Sequence, residues 1–240
     1  MIYLRTVYLL RERFLSEEGY PFSLPAYREL GRIDLTSSVT FLVGENGSGK
    51  STLLEAIAYQ CGFHTAGGSR SHDHAYHVDR AEAALGDDIR LSWMPKMTNG
   101  FFLRAESFYQ FASHIDEAER VKPNGYRAYG GRSLHEQSHG ESFLSLFANH
   151  FRGKGIYLLD EPEAALSPMR QLAFLYLMMD LVKEGAQFLI ATHSPILMGF
   201  PGATILSFDE SPLAEVRYEE TEHYQLTRRF LENRKAFLEE

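Results

Sequence analysis

The chain has 240 residues, 44% hydrophobic and 23% charged, with a formal net charge of −8 at pH 7. This is ordinary globular composition, enough to bury a substantial core in one large domain or two small ones. It excludes an internal disulfide framework, since Cys61 is the single cysteine, and a membrane span, since no apolar run reaches the roughly 18 residues one needs. With no signal-peptide pattern at the N-terminus, a cytoplasmic location is the expectation.

The first forty residues read as strands and turns. Tyr3 to Leu10 is apolar-rich, and Gly19-Tyr20-Pro21 and Pro25 punctuate the segment after it. Val39-Thr40-Phe41-Leu42-Val43 is β-branched and apolar, the pattern of a buried strand. The next run, Gly44-Glu45-Asn46-Gly47-Ser48-Gly49-Lys50-Ser51, fits G-x-x-x-x-G-K-[ST] at every fixed position. Leu53, Leu54, Ile57 and Ala58 then recur at helical spacing.

Strand, glycine loop and helix in that order make a phosphate cradle. Glycines let successive N–H groups turn inward, and the helix presents its positive end to the same anion. Lys50 adds a point charge for β- and γ-phosphates, and the Ser51 hydroxyl can ligate Mg²⁺. Gly44 to Ser51, with Thr52 beside them, are the predicted nucleotide contacts. Cys61 lies on the apolar side of the same helix and is expected in the core.

Residues 64 to 88 carry His64, His72-Asp73-His74 and His77, a set that could hold zinc. With no matching cysteine pair, a polar insert is the simpler reading. Ile89 to Trp93 and Phe101 to Arg104 are predicted to form a hairpin turned by Asn99-Gly100. Phe108, Phe111, Ala112 and Ile115 predict a helix, and residues 122 to 133 a loop.

Strands and helices alternate in the C-terminal half. Ile156 to Leu159 is a strand, and Ser167-Pro168 opens a helix that Gly185 can cap after Glu184. Gln187 to Thr192 and Ala203 to Phe208 are further strands. Such alternation implies a largely parallel sheet with helices on both faces.

The strand at Ile156 ends in Asp160-Glu161. At the C-terminal edge of a parallel strand, Asp160 would hold Mg²⁺ and Glu161 would polarise the attacking water as general base. His193 follows Glu161 by 32 positions, one helix and one strand later, and should emerge at the neighbouring edge near the γ-phosphate. Near the C-terminus, Arg228, Arg229, Arg234 and Lys235 are interspersed with Glu222, Glu232, Glu239 and Glu240. That reads as a solvated mixed-charge helix, so nucleic acid is a partner the net charge does not support.

Between these motifs lies Ser138-His139-Gly140-Glu141-Ser142, 88 residues after Lys50 and 22 before Asp160, at the start of a helix carrying Phe143, Leu144, Leu146 and Phe147. It is similar to the signature LSGGQ, with Gln137 and His139 replacing its leucine and first glycine. With this motif in place the chain resembles the ABC-type ATPase superfamily. Asp160 to Pro168 and Thr192-His193-Ser194-Pro195 are most similar to stand-alone ATPases related to SMC and RecF-like DNA-repair heads.

The resemblance implies one α/β domain over residues 1–240, a P-loop NTPase fold with a mostly parallel sheet flanked by helices. A short antiparallel N-terminal sheet and a helical lobe at about 62–150 complete it. It implies ATP and Mg²⁺ as ligands, Lys50, Glu161 and His193 as catalytic groups, and Ser51 and Asp160 on the metal. It also implies an ATP-dependent homodimer in which Ser138, Gly140 and Glu141 meet the nucleotide bound by the other subunit. The cycle would serve DNA maintenance or defence through an unknown protein partner, or else a transporter with a separate membrane subunit. Departures from the pattern are Ser167 in place of the D-loop aspartate and no glutamine at the Q-loop, where Arg104-Ala105-Glu106-Ser107 is nearest. Tyr20, 24 residues before Gly44, stands where an adenine-stacking aromatic is sought.

Overall fold

A computed structural model describes residues 1–14, 16, 18–64, 85–121, 126, 131–151 and 153–238. Strand β1 (Leu4–Leu9) lies between β2 (Arg32–Asp34) and β4 (Ile89–Trp93), antiparallel to both, in a three-stranded sheet. A six-stranded sheet has the order β5-β6-β7-β3-β8-β9, formed by β3 (Val39–Val43), β5 (Gly100–Arg104), β6 (Gly155–Asp160), β7 (Ala186–Ala191), β8 (Thr204–Ser207) and β9 (Ala214–Glu215). All neighbours are parallel except the final β8–β9 pair.

Every residue of β3, β6 and β7 is buried, because both faces of the sheet are covered. The period-2 pleat sends Phe41, Phe101, Leu103, Tyr157, Leu159, Phe188 and Ile190 to one face and Leu42, Phe102, Ile156, Leu158 and Leu189 to the other. Against the second face pack the small sheet, α1 (Pro25–Arg28) and α2 (Lys50–Cys61), with Cys61 buried among them. The first face is covered by α3 (Phe108–Val121), α4 (His139–His150), α5 (Pro168–Glu184) and α6 (Pro195–Met198). Gly185, at φ 105°, ends α5 in the left-handed conformation.

The expected hairpin is not formed. β4 pairs with β1 in the small sheet, whereas β5 joins the large sheet beside β6. Gly100 is a strand residue at close approach: a Cβ there would lie 2.1 Å from the Ile156 carbonyl oxygen. Asn99 is bound to the same neighbour, its side chain donating to the Lys154 carbonyl at 2.7 Å. Long-range pairing therefore overrides the local turn preference of Asn-Gly. His72, Asp73, His74 and His77 lie outside the described residues, as does most of the expected loop at 122–133.

Beyond the sheet, α7 (Glu222–Glu232) buries no residue and carries an exposed Arg228–Glu232 pair at 2.8 Å, and α8 (Lys235–Leu238) follows it. No helix among the described residues is long and apolar enough to cross a membrane.

Candidate nucleotide site

The strand order places β7 between β3 and β6, so three C-terminal ends converge on one edge of the sheet. From β3 the chain enters the glycine loop and then α2. Gly49 adopts φ 102°, and a Cβ there would lie 2.5 Å from the ring of buried Tyr27, whose hydroxyl donates to the Gly49 carbonyl at 2.7 Å. At Gly44, with φ 141°, a Cβ would meet Asp209 Oδ1 at 2.9 Å. A side chain at either position would break the cradle. Glu45, Asn46 and Gly47 stand exposed at its rim, with Ser48 partly buried.

Lys50 is 4% exposed and folds over the loop, its Nζ donating to the carbonyls of Gly44 at 2.6 Å and Glu45 at 2.8 Å. Burial lowers its pKa, against the opposing pull of Asp209, Glu161, Asp160 and Glu45. One residue further into the same helix, the Ser51 hydroxyl donates to Asp160 Oδ1 at 3.0 Å, bridging β3's loop to the end of β6. The Tyr20 hydroxyl contacts that of Thr52, which sets an exposed aromatic ring beside the helix start.

Asp160 is 6% exposed. Burial pushes its carboxyl up to about 6, although the Ser51 hydrogen bond and Arg104 both favour the anion. Arg104, its register partner on β5, is 3.5 Å away and is shared with Glu55 at 2.6 Å. A buried carboxylate left short of positive charge, next to a hydroxyl oxygen, fits a hard divalent cation. Among the described residues no three carboxylate, imidazole or thiol groups converge on a point.

Glu161 is the one non-glycine among the described residues in the left-handed region, at φ 50° and ψ 50°. Its N–H donates to the Ala191 carbonyl at 3.0 Å, clamping the ends of β6 and β7. Such a conformation costs on the order of 1 kcal/mol and persists where the surroundings over-determine it. His193, just past β7, sets Nε2 at 3.7 Å from Glu161 Oε1, too long for a hydrogen bond. That Nε2 is buried without a hydrogen-bond partner. Burial, Lys50 and His223 all lower the pKa of His193, so the ring is neutral near pH 7.

The start of α4 is separate from this cluster. Ser138 is its N-cap, and the Ser138 N–H donates to the Glu141 carboxylate at 3.1 Å, the reciprocal bond of a capping box. Glu141 also pairs with Arg170 on α5 at 3.3 Å. Gly140 is buried against that arginine, where a Cβ would lie 2.6 Å from its side chain. Described bonds of Ser138 and Glu141 run within α4 and to α5, none to the glycine loop. Thus Lys50, Ser51, Asp160, Glu161 and His193 are brought together, while Ser138, Gly140 and Glu141 form a second surface.

Four further participants were not among the predicted site residues. Asp209, just beyond β8, accepts the Glu45 N–H at 2.7 Å. Glu163 accepts the His193 N–H at 2.6 Å, and burial raises its carboxyl pKa. His223 meets His193 Nδ1 at 2.8 Å. Arg104 is the fourth. An acid directly after a parallel strand was the available signal for Asp209; the other three need the fold.

A family model described as "AAA domain" matches residues 24–100, and one described as "AAA domain, putative AbiEii toxin, Type IV TA system" matches residues 125–199. The manganese transport system ATP-binding protein of Synechocystis is 28% identical over 208 residues, 79% of this chain and 78% of the relative. The hemin import ATP-binding protein of Nocardia farcinica is 29% identical over 201 residues, 77% and 68% respectively. Among solved structures, cbiO1 from Clostridium perfringens, part of an ABC transporter complex, superposes with a TM-score of 0.52 at 19% identity, covering 96% of each chain. Over more than three quarters of its length the chain is similar to ATP-binding proteins of transport systems, and the glycine loop, the helix that follows Ser138, Asp160-Glu161 and His193 stand along it in this order.

Proposed function

We propose that the protein binds ATP with Mg²⁺ in the glycine loop and hydrolyses it, with two copies closing head to tail around two nucleotides. The observation that carries this reading is the Ser51–Asp160 bond, which joins the phosphate loop to the acidic strand end at 3.0 Å. Lys50 leaves its loop carbonyls for the phosphate oxygens, and the amides at the start of α2 hold the same anion. Mg²⁺, when bound by Ser51 and Asp160, supplies neutralisation of charge on the β- and γ-oxygens. Glu161 accepts a proton from the attacking water, and the neutral His193 donates from Nε2 to the γ-phosphate. The exposed Tyr20 ring stacks on adenine.

The second surface completes the site in trans. The exposed Ser138 and the start of α4 at Gly140 meet the γ-phosphate of the other copy, where the helix dipole favours an anion. The capping box keeps this end preformed. A second reading of the cycle's output, as the ATPase of a transporter with a separate membrane subunit, is favoured by the transport ATP-binding proteins among the relatives. DNA maintenance or defence is the first reading.

Phosphate release under saturating Mg·ATP tests the chemistry. The wild-type protein turns over, and Glu161→Gln loses about 10²–10⁴-fold in rate with its nucleotide affinity kept. A Glu161→Gln protein that hydrolyses at the wild-type rate would remove Glu161 from the reaction.

A further inference from the structure

The bond between His193 and His223 has no role in the chemistry of Lys50, Glu161 and Mg²⁺, yet it is short, partly buried and aimed at the reacting side of the site. We propose that His223 is a positioning residue for ATP hydrolysis: its Nε2–H donates to His193 Nδ1 and thereby fixes His193 as the tautomer that carries its proton on Nε2, facing Glu161 and the γ-phosphate. This rests on the reading of His193 as a phosphate donor.

The direction of the bond follows from what surrounds the ring. At 2.8 Å between His193 Nδ1 and His223 Nε2, one nitrogen donates and the other accepts. If His193 Nδ1–H were the donor, its Nε2 lone pair would face the Glu161 carboxylate at 3.7 Å in a buried place with no donor at hand. Two electron-rich groups would then confront each other across a partly buried gap too long for a hydrogen bond to relieve. With His223 as donor the polarity reverses: His193 Nε2–H points toward the carboxylate, and toward an anionic oxygen when one is present. A doubly protonated His193 is the third possibility. Glu161 favours it, but burial, Lys50 and His223 outweigh that pull. The backbone side is held independently, since the His193 N–H is already committed to Glu163 at 2.6 Å.

His223 is itself held firmly enough to serve. It is the second residue of α7, whose first turn is capped by Thr221, 3% exposed, accepting the Tyr224 N–H at 3.4 Å. Just before it, the Tyr218 hydroxyl donates to the Pro195 carbonyl at 2.9 Å, tying this segment to the loop that carries His193. The rings of Tyr218 and Tyr224 pack with centroids 4.7 Å apart. Which nitrogen of a histidine carries the proton is set by the bond the other makes; for histidines that ligate metals, loss of such an outer partner typically costs tenfold to hundredfold.

The test uses full-length protein with ¹⁵N-labelled histidine, comparing wild type with His223→Phe and His223→Gln. Two-bond proton–nitrogen spectra without nucleotide read the His193 tautomer directly. Wild type is expected to show the Nε2–H form, His223→Phe a mixture or the Nδ1–H form, and His223→Gln, whose amide can donate at the same reach, the wild-type form. In phosphate release, His223→Phe is expected to lose about tenfold or more in kcat with KM for ATP changed less than about twofold, and His223→Gln to recover most of the loss. An unchanged Nε2–H tautomer in folded His223→Phe, or equal kcat in Phe and Gln variants, overturns the proposal. A His193→Ala protein with wild-type turnover overturns the phosphate-donor reading instead, an outcome separable because the tautomer is read without ATP.

Discussion

Replacing Asp160 by asparagine should make the nucleotide-free protein more stable at pH 8 while destroying its response to Mg·ATP. Asp160 is buried, and its carboxyl titrates at about 6 against an ordinary value of 3.8, with burial the largest cause. An acid whose pKa is raised on folding contributes fully below its unfolded value and loses that contribution as pH rises through the folded one. Above both values the cost is about 3 kcal/mol, at 1.36 kcal/mol per pH unit. Asparagine keeps an acceptor for the Ser51 hydroxyl, and Arg104 retains Glu55 at 2.6 Å, so little is lost in exchange. At about 2–4 °C per kcal/mol for a chain of this size, the variant should melt roughly 6–12 °C higher at pH 8. The gap should close as pH falls through 6 toward 4, where the wild-type carboxyl is protonated. Differential scanning fluorimetry across pH 4–8, with and without Mg·ATP, measures both effects. A variant that melts below wild type at pH 8, or a gap independent of pH, would refute the reasoning.

Other substitutions probe the cradle and the partners. Lys50→Ala should fold and lose ATP binding, because this lysine faces loop carbonyls rather than core; calorimetry with wild-type affinity would contradict that. Gly49→Ala should cost at least about 2 kcal/mol by denaturant unfolding and impair nucleotide binding, since φ 102° and the Tyr27 ring at 2.5 Å both oppose a Cβ. Affinity for duplex DNA should be weak and fall steeply between about 50 and 200 mM salt, given the net charge of −8. A tight affinity insensitive to salt would count against it.

The glycine loop, the Asp160-Glu161 strand end and the helix that follows Ser138 were legible because each is a local pattern with its secondary structure written around it. His193 could be placed because one helix and one strand separate it from Glu161, and parallel sheets put such residues on one edge. The Asn99-Gly100 turn misled because Gly100 is demanded by the Ile156 carbonyl on the neighbouring strand, a contact no local pattern shows. His223, Glu163 and Arg104 enter the site from elements whose own periodicity says only helix, turn or strand. Arg104 in particular reads as a surface end of β5 until Asp160 is placed opposite it.

Closure of two copies around ATP is the central claim, and light scattering on Glu161→Gln measures it most directly. Removing the carboxylate takes away the base while leaving Lys50, Ser51 and Asp160 to bind Mg·ATP, and the amide relieves repulsion against the γ-phosphate. With hydrolysis slowed about 10²–10⁴-fold, the closed form should outlive a sizing run. At tens of micromolar protein, the predicted result is a dimer with Mg·ATP, a monomer without it, and a monomer again when Ser138→Arg is added. A Glu161→Gln protein that binds Mg·ATP and remains a monomer would contradict the two-headed mechanism.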